Sequence, residues 1–271
     1  MSSPGATSAT WPGYWAIESQ SSVLRGLLAV LITAALFLAL AAPTTRAAQG
    51  GIAGGNPPPP GPKPQLLLFH GGSFLFEDPS FEPSTAARAI AAGFVPHYVM
   101  YPLENMPAAV LAARAEAKRL REKYGVKRVY AYGASAGGTL AALLSGNGLV
   151  AAAVAKAPIS DLVSWEWPLT TYGPNYDERI GLNLSARYRL SPLRRPAMSP
   201  LLIYQGRSDQ VVPPATNEAY AAKFPRVYFW SVPGGHTTDR ERPWLISKAM
   251  HWLARTAARQ ARAAAHREAH P

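Results

Sequence analysis

Ser135 stands at the centre of Gly133-Ala134-Ser135-Ala136-Gly137, between an apolar run ending at Tyr132 and a stretch rich in Ala and Leu. A serine hydroxyl is a weak nucleophile until a neighbouring base takes its proton. Setting it on a sharp strand-to-helix turn exposes the oxygen, and so tight a turn tolerates only small flanking side chains. Gly133, Ala134, Ala136, Gly137 and Gly138 all meet that demand. A dinucleotide-binding turn would occupy the same topological place, but it needs G-x-G-x-x-G, and Ser135 stands where the second glycine belongs. In a chain rich in Gly and Ala the string alone is a weak signal. Its setting makes Ser135 the candidate nucleophile for acyl transfer.

Three more segments supply what such a nucleophile needs. His70-Gly71-Gly72-Ser73-Phe74 follows an apolar run. The backbone N–H groups of Gly71 and Gly72, joined by that of Ala136, would make an oxyanion hole, because glycine lets the chain approach a carbonyl closely. The alternative for this loop is an ordinary glycine turn, and His70 itself reads as structural. Asp209 lies in Gln205-Gly206-Arg207-Ser208-Asp209, after another apolar run, and His236 ends Pro233-Gly234-Gly235-His236. The assignment is Ser135 as nucleophile, His236 as general base and Asp209 as the acid orienting it, in the chain order nucleophile, acid, histidine. Asp161 is the rival acid, but it opens a long polar segment and reads better as a helix cap. The chain contains no cysteine, which removes disulfides, thiolate metal sites and cysteine nucleophiles. The chemistry calls for no metal and no cofactor.

These residues must be held by something, and the apolar pattern says what. Strands are expected at Leu66 to Phe69, Phe94 to Met100, Arg128 to Tyr132, Val150 to Ala155, Leu201 to Gln205 and Val227 to Ser231. Helices are expected between them at Ser84 to Ala92, Pro107 to Tyr124, Ala136 to Ser145, Ala215 to Lys223 and Pro243 to Ala257. Alternation of this kind predicts an α/β fold, a doubly wound and mostly parallel sheet with helices on both faces. One segment, residues 161–196, interrupts it and reads as a short lid. Its Trp165, Trp167, Tyr172 and Tyr176 either roof an acyl pocket or pack the insertion itself.

From residue 63 to residue 252 these features resemble the α/β-hydrolase superfamily. The HGGSF loop is similar to the HGG motif of hormone-sensitive-lipase-like esterases, although Ser73 stands where those enzymes usually carry a third glycine. Ala157-Pro158-Ile159-Ser160-Asp161-Leu162, and the Gly-x-x-Asp-x-x-Val-Pro string around Asp209, resemble prolyl-oligopeptidase-like catalytic domains. The resemblance implies a serine hydrolase working through an acyl-enzyme. The expected substrate is a small or medium carboxylic ester. The alternatives are a peptidase of the same catalytic type, disfavoured because no propeller-like segment is encoded, and a non-catalytic binding protein that keeps the fold. The early antiparallel strands usual in the superfamily have no clear counterpart between the leader and Gln65.

Outside the domain at residues 65–257 the chain changes character. Residues 1–47 form a leader in which Arg25 precedes an apolar run from Gly26 to Ala42, with small residues at two sites suited to cleavage. That layout predicts a cleaved signal peptide or a retained membrane anchor, and hence a secreted or cell-envelope protein. Residues 48–64, rich in Gly and Pro, read as a tether. Residues 258–271 form a basic tail in which Arg259, Arg262 and Arg267 add to Arg255; a solvated helix end is the plainer reading and contact with an anionic lipid or wall polymer the sharper one. The formal charge of +11 is spread over separate groups with no long basic run, so no nucleic-acid partner is expected.

Overall fold

The computed structural model describes residues 62–78 and 82–270. The leader and most of the expected tether lie outside them. The first described strand, β1 (Gln65–Phe69), is buried along its whole length. β3 (Val129–Ala134), β4 (Ala152–Lys156) and β5 (Leu201–Gly206) are buried likewise. Continuous apolar runs of this kind suit a parallel sheet covered on both faces. β2 (Val95–Tyr98) and β6 (Val227–Val232) are only partly covered, and they form the two edges. Pro96 sits in β2, where an edge strand can spare its missing N–H.

The sheet runs β2-β1-β3-β4-β5-β6 with every pair parallel. Parallel neighbours need a crossover, and the helices provide it. Leu67, Phe69, Ala131, Ala153 and Ile203 point into one layer with α2 (Met106–Tyr124), α3 (Ala136–Gly146) and α7 (Pro214–Lys223). Leu66, Leu68, Tyr132, Val154 and Leu202 face the other layer, made by α1 (Glu82–Ala91) and α9 (Trp244–Ala269). Alternate residues of each strand serve opposite layers, which is the two-residue period of extended chain. The chain goes from β1 outward to β2 and returns past β1 to β3, so the strand order reverses there. Loops leaving the carboxyl ends of β1 and β3 therefore flank the switch point, where open α/β sheets place their ligands.

Residues 161–196 carry three short helices, α4 (Trp167–Tyr172), α5 (Tyr176–Arg179) and α6 (Leu184–Leu190). The insertion is packed down, with Trp165, Tyr176, Ile180 and Leu182 joining the α2–α3 core. Its basic residues are largely used internally. Arg187 pairs with Asp177 at 2.7 Å, and Arg194 lies 3.5 Å from Asp161. One more short helix, α8 (Thr238–Glu241), precedes α9.

Most element ends lie within two residues of the sequence expectation, and two of the differences have a visible cause. The second strand is shorter than Phe94 to Met100, because Phe94 turns in to stack edge-on against Tyr130 at 5.4 Å before the ladder begins. The last helix does not stop at Ala257. It continues to Ala269, and Gln260 ties the extension down by donating to the Ala151 carbonyl at 2.9 Å and accepting from Tyr130 Oη at 3.0 Å. Beyond this tie the last turns of α9 are exposed, so residues 258–270 continue a domain helix. Among the described residues no helix is long and apolar enough to cross a membrane.

Leu253 is fully buried where α9 meets the sheet, whereas Arg262 is exposed. Leu253→Ala should destabilise the fold by about 2–5 kcal/mol through lost burial and a cavity, and Arg262→Ala by less than about 0.5 kcal/mol. Urea denaturation of both variants checks the difference.

Candidate active site

β3 ends in Ala134 and α3 begins at Ala136, leaving Ser135 alone to turn the chain. Its backbone takes φ 55° and ψ −116°, a conformation costing about 1–3 kcal/mol outside glycine. The surroundings hold it there: Ser135 N–H donates to the Lys156 carbonyl at 2.8 Å, and Ser135 O accepts from Thr139 N at 3.0 Å. Close backbone contact explains the flanking glycines. A Cβ on Gly137 would lie 2.3 Å from the carbonyl oxygens of Phe69 and His70, and one on Gly133 would lie 2.1 Å from Gly137 O.

His236 and Asp209 reach Ser135 from the loops after β6 and β5. His236 Nε2 lies 3.0 Å from Ser135 Oγ, and His236 Nδ1 lies 2.8 Å from Asp209 Oδ2. With Nδ1 protonated, the ring donates to the carboxylate and offers Nε2 as acceptor to the serine hydroxyl. Residues far apart in the chain thus form one hydrogen-bonded array.

The carboxylate is fixed on both oxygens. Asp209 Oδ1 accepts from the N–H groups of Val211 and Val212 at 2.9 and 3.0 Å, while Oδ2 also accepts from Gln205 Nε2 at 3.1 Å. Gln205 is held in turn: its Oε1 accepts from Asn217 Nδ2 at 2.6 Å, its Nε2 donates to the Val212 carbonyl, and Asn217 bonds Ser160 and the Pro158 carbonyl. Burial favours protonation of Asp209, but the hydrogen bond from His236, its nearby charge and the other donors outweigh it, and the carboxyl stays below its ordinary range. Burial is also the largest influence on His236. It depresses the imidazole below its ordinary value despite the opposing bond to Asp209, with Lys156 adding to the depression.

The glycine loop lies alongside. A Cβ on Gly71 would lie 3.5 Å from Ser135 Cβ, which sets this backbone against the hydroxyl. Gly72 takes φ 111°, and a Cβ there would overlap Phe76 O at 1.9 Å. Ser73 and Phe74 follow at positive φ, a strained turn in non-glycine residues. Among the described residues the N–H groups of Gly71, Gly72 and Ala136 donate to no backbone carbonyl in the turns, loops and caps. The insertion steadies the loop through Tyr176 Oη, which donates to Ser73 O at 2.8 Å. His70 is buried and stacks on Tyr101 at 4.2 Å, and Tyr101 Oη donates to the His70 carbonyl at 2.9 Å.

A cleft of about 470 Å³ opens over Ser135 and His236. Its lining includes Gly71, Gly72, Ser73, Trp167, Tyr172 and Val211, and also the charged Lys156, Asp239, Arg240 and Arg88. The four aromatics of the insertion divide the two roles foreseen for them. Trp167 and Tyr172 line the cleft, whereas Trp165 and Tyr176 are buried behind them, Trp165 donating through Nε1 to Val211 O at 2.7 Å. Asp161 stands apart from His236. Its carboxylate accepts from Val163 N and Ser164 Oγ, each at 3.1 Å, as a turn cap, and its ion-pair partner is Arg194.

Sequence reasoning passed over Lys156, Gln205, Asn217 and Asp239. Lys156 carried a readable signal, a lysine closing the otherwise apolar strand Ala152-Ala153-Val154-Ala155. Among the described residues no group of three or more His, Asp and Glu is placed to hold a metal ion.

Solved structures share this architecture. An acetyl ester-xyloside bifunctional hydrolase from Caldicellulosiruptor lactoaceticus superposes with a TM-score of 0.60 at 17% identity, over 70% of this chain and 82% of that one. Apo esterase 2 of Thermogutta terrifontis gives a TM-score of 0.60 at 19% identity, over 74% and 84%. Its propionate-bound form gives 0.58 at 21% identity, over 73% and 84%. At these identities the likeness establishes the α/β-hydrolase fold. A search of the curated proteins finds no match. The model of the prolyl oligopeptidase family matches residues 110–264, more than half of the chain. That span runs from the second turn of α2 through the Ser135 turn, the Asp209 and His236 loops and most of α9, and the chain accordingly belongs to the prolyl oligopeptidase family of serine hydrolases.

Proposed function

We propose that this serine hydrolase is a carboxylesterase for short to medium acyl esters, with Ser135 as nucleophile, His236 as general base and Asp209 as its orienting acid. The observation that carries the reading is the continuous array Ser135 Oγ, His236 Nε2, His236 Nδ1 and Asp209 Oδ2, with contacts of 3.0 and 2.8 Å. Ser135 Oγ attacks the ester carbonyl while its proton passes to His236 Nε2. The carbonyl electrons move onto an oxyanion that the Gly71, Gly72 and Ala136 N–H groups stabilise, and losing one such donor typically costs about 10²- to 10³-fold in rate. As the tetrahedral species collapses, the alcohol leaves with the proton from His236. Water, deprotonated by His236, then attacks the acyl-enzyme and restores Ser135.

The preference for esters rests on the cleft and on the relatives. A cleft of about 470 Å³, walled by Trp167, Tyr172 and Val211 beside the glycine loop, suits a small acyl group. The structural neighbours include an acetyl ester-xyloside bifunctional hydrolase and an esterase with propionate or butyrate bound. The family name favours a second reading, peptide cleavage by the same residues. The apolar run from Gly26 to Ala42, outside the described residues, supports export or membrane anchoring of the enzyme. Fractionation of cells making the full chain tests this, and a purely cytosolic distribution would refute it.

A fluorophosphonate probe should label Ser135, and p-nitrophenyl acetate and butyrate should be turned over far faster than the palmitate ester. Efficient cleavage of peptidyl amides would move the assignment to peptidase. Ser135→Ala should abolish turnover and labelling without loss of folding, since alanine fits the same turn. Asp209→Asn should lower kcat by up to about 10⁴-fold, whereas Asp161→Asn should leave it nearly unchanged, as Asn still caps a turn; steady-state kinetics of the two decide between the acids.

The pH dependence follows from the depressed imidazole. The base must be neutral, so kcat/KM rises with pH as His236 loses its proton. Because burial holds that pKa down, the midpoint of the acid limb should lie below the ordinary histidine value of 6.5. A midpoint above it, with the chemical step limiting, would remove His236 as the titrating base.

A further inference from the structure

Lys156 is a charged side chain in an apolar place. It ends β4, is 5% exposed, and lies one strand from the nucleophile, its Cα paired with that of Ala134. Its backbone and side chain engage the two halves of the site separately. The carbonyl accepts from Ser135 N–H at 2.8 Å, while Nζ donates to the backbone carbonyl of His236. The same Nζ lies 3.2 Å from Asp239 Oδ1, and both side chains are about nine-tenths buried. Asp239 belongs to α8, which begins two residues after His236, and Asp239 Oδ1 has no hydrogen-bonded partner besides this ionic contact among the described residues.

We propose that Lys156 and Asp239 form a positioning pair that clamps the His236 loop onto the nucleophile strand. The inference rests on the assignment of Ser135 and His236 made above. His236 follows Gly234 and Gly235, a flexible pair held on the β5 side by Ser208 N–H donating to the Gly234 carbonyl at 3.0 Å. A second tether on the Ser135 side keeps Nε2 within reach of the hydroxyl, and a misplacement of about 1 Å is enough to cost about 10²-fold in rate. Lys156 supplies the tether from the strand that already fixes Ser135. Asp239, three residues beyond the histidine, completes it and neutralises the buried ammonium.

The pair also has an electrostatic signature. Four groups face the imidazole: Ser135 from the turn after β3, Asp209 from the β5 loop, Lys156 from β4 and Asp239 from α8. Farther along the cleft wall, Arg240 is paired with Asp78, and Arg88 donates to the carbonyls of Ser84 and Pro243. The Lys156 charge opposes the imidazolium and the Asp239 charge favours it. Deleting one member therefore moves the acid limb one way, and deleting the other moves it the opposite way.

The test uses the full chain with p-nitrophenyl acetate and a fluorophosphonate probe, comparing Lys156→Met, Asp239→Asn and the double variant, with thermal melts on each. Lys156→Met should lower kcat about 10- to 100-fold with KM changed less than about twofold, and its acid limb should move to higher pH. Asp239→Asn should move the limb to lower pH, and the double variant should return it towards the parent. Should Lys156→Met not fold, Asp239→Asn and the double variant still report the displacement. A folded Lys156→Met with parental kcat and limb, or limbs that move in the same direction in both single variants, would overturn the proposal. His236→Gln separates the two levels: retained turnover there defeats the catalytic assignment itself, whereas loss there beside an unaffected Lys156→Met defeats the clamp alone.

Discussion

Backbone packed against backbone beneath Ser135 is the constraint from which the site is built. The turn from β3 into α3 lies so close to the end of β1 that no side chain fits between Gly137 and the carbonyls of Phe69 and His70. This contact joins the two strands flanking the point where sheet order reverses, and it lays the glycine loop after β1 along the serine. Ser135 pays for it with a left-handed φ, and a strained residue persists only where its surroundings over-determine it. Here they do so through the Lys156 carbonyl, through α3 and through a strand buried on both faces.

The remaining members of the array come from loops, and loops are steadied by polar groups. Asp209 has both carboxylate oxygens occupied, and behind it Gln205, Asn217 and Ser160 carry the restraint into the core. A half-satisfied buried network would be worse than an apolar one, so the linked bonding of these side chains matters as much as any single contact. Burial does two things at once in this region. It lowers the proton affinity of His236, keeping the imidazole neutral at lower pH, and it strengthens each charge interaction that reaches the ring. Breaking a buried ion pair such as Lys156–Asp239 by removing one partner costs more than the pair itself contributes, because a charge is left without compensation.

The insertion belongs to the same design. Half of its aromatic cluster is core, and the other half is cleft wall. Tyr176 joins the two functions, being buried against Trp165 while its hydroxyl holds the carbonyl of Ser73 in the glycine loop. The segment thus bears on the glycine loop as well as on the cleft wall.

The parallel sheet was legible in the chain because buried parallel strands are continuous apolar runs, and the candidate nucleophile was legible because its turn excludes all but small neighbours. The order Ser135, Asp209, His236 and the glycine loop could be read for similar reasons, each being a local pattern tied to a strand end. What could not be read were facts of distance. Asp161 and Asp209 both follow strands at the same sheet edge, and only packing set one beside His236 and turned the other into a cap for its own segment. Trp165 and Trp167 are separated by a single residue, yet one is core and the other lines the cleft. The helix α9 outran its apolar pattern because Gln260 found partners on Tyr130 and Ala151, far away in sequence. Lys156 and Asp239 announced nothing as a pair. Local sequence determines which residues are able to turn, bury or ionise, whereas the pairing of two charges across a sheet depends on strand order and register, which are properties of the folded chain as a whole.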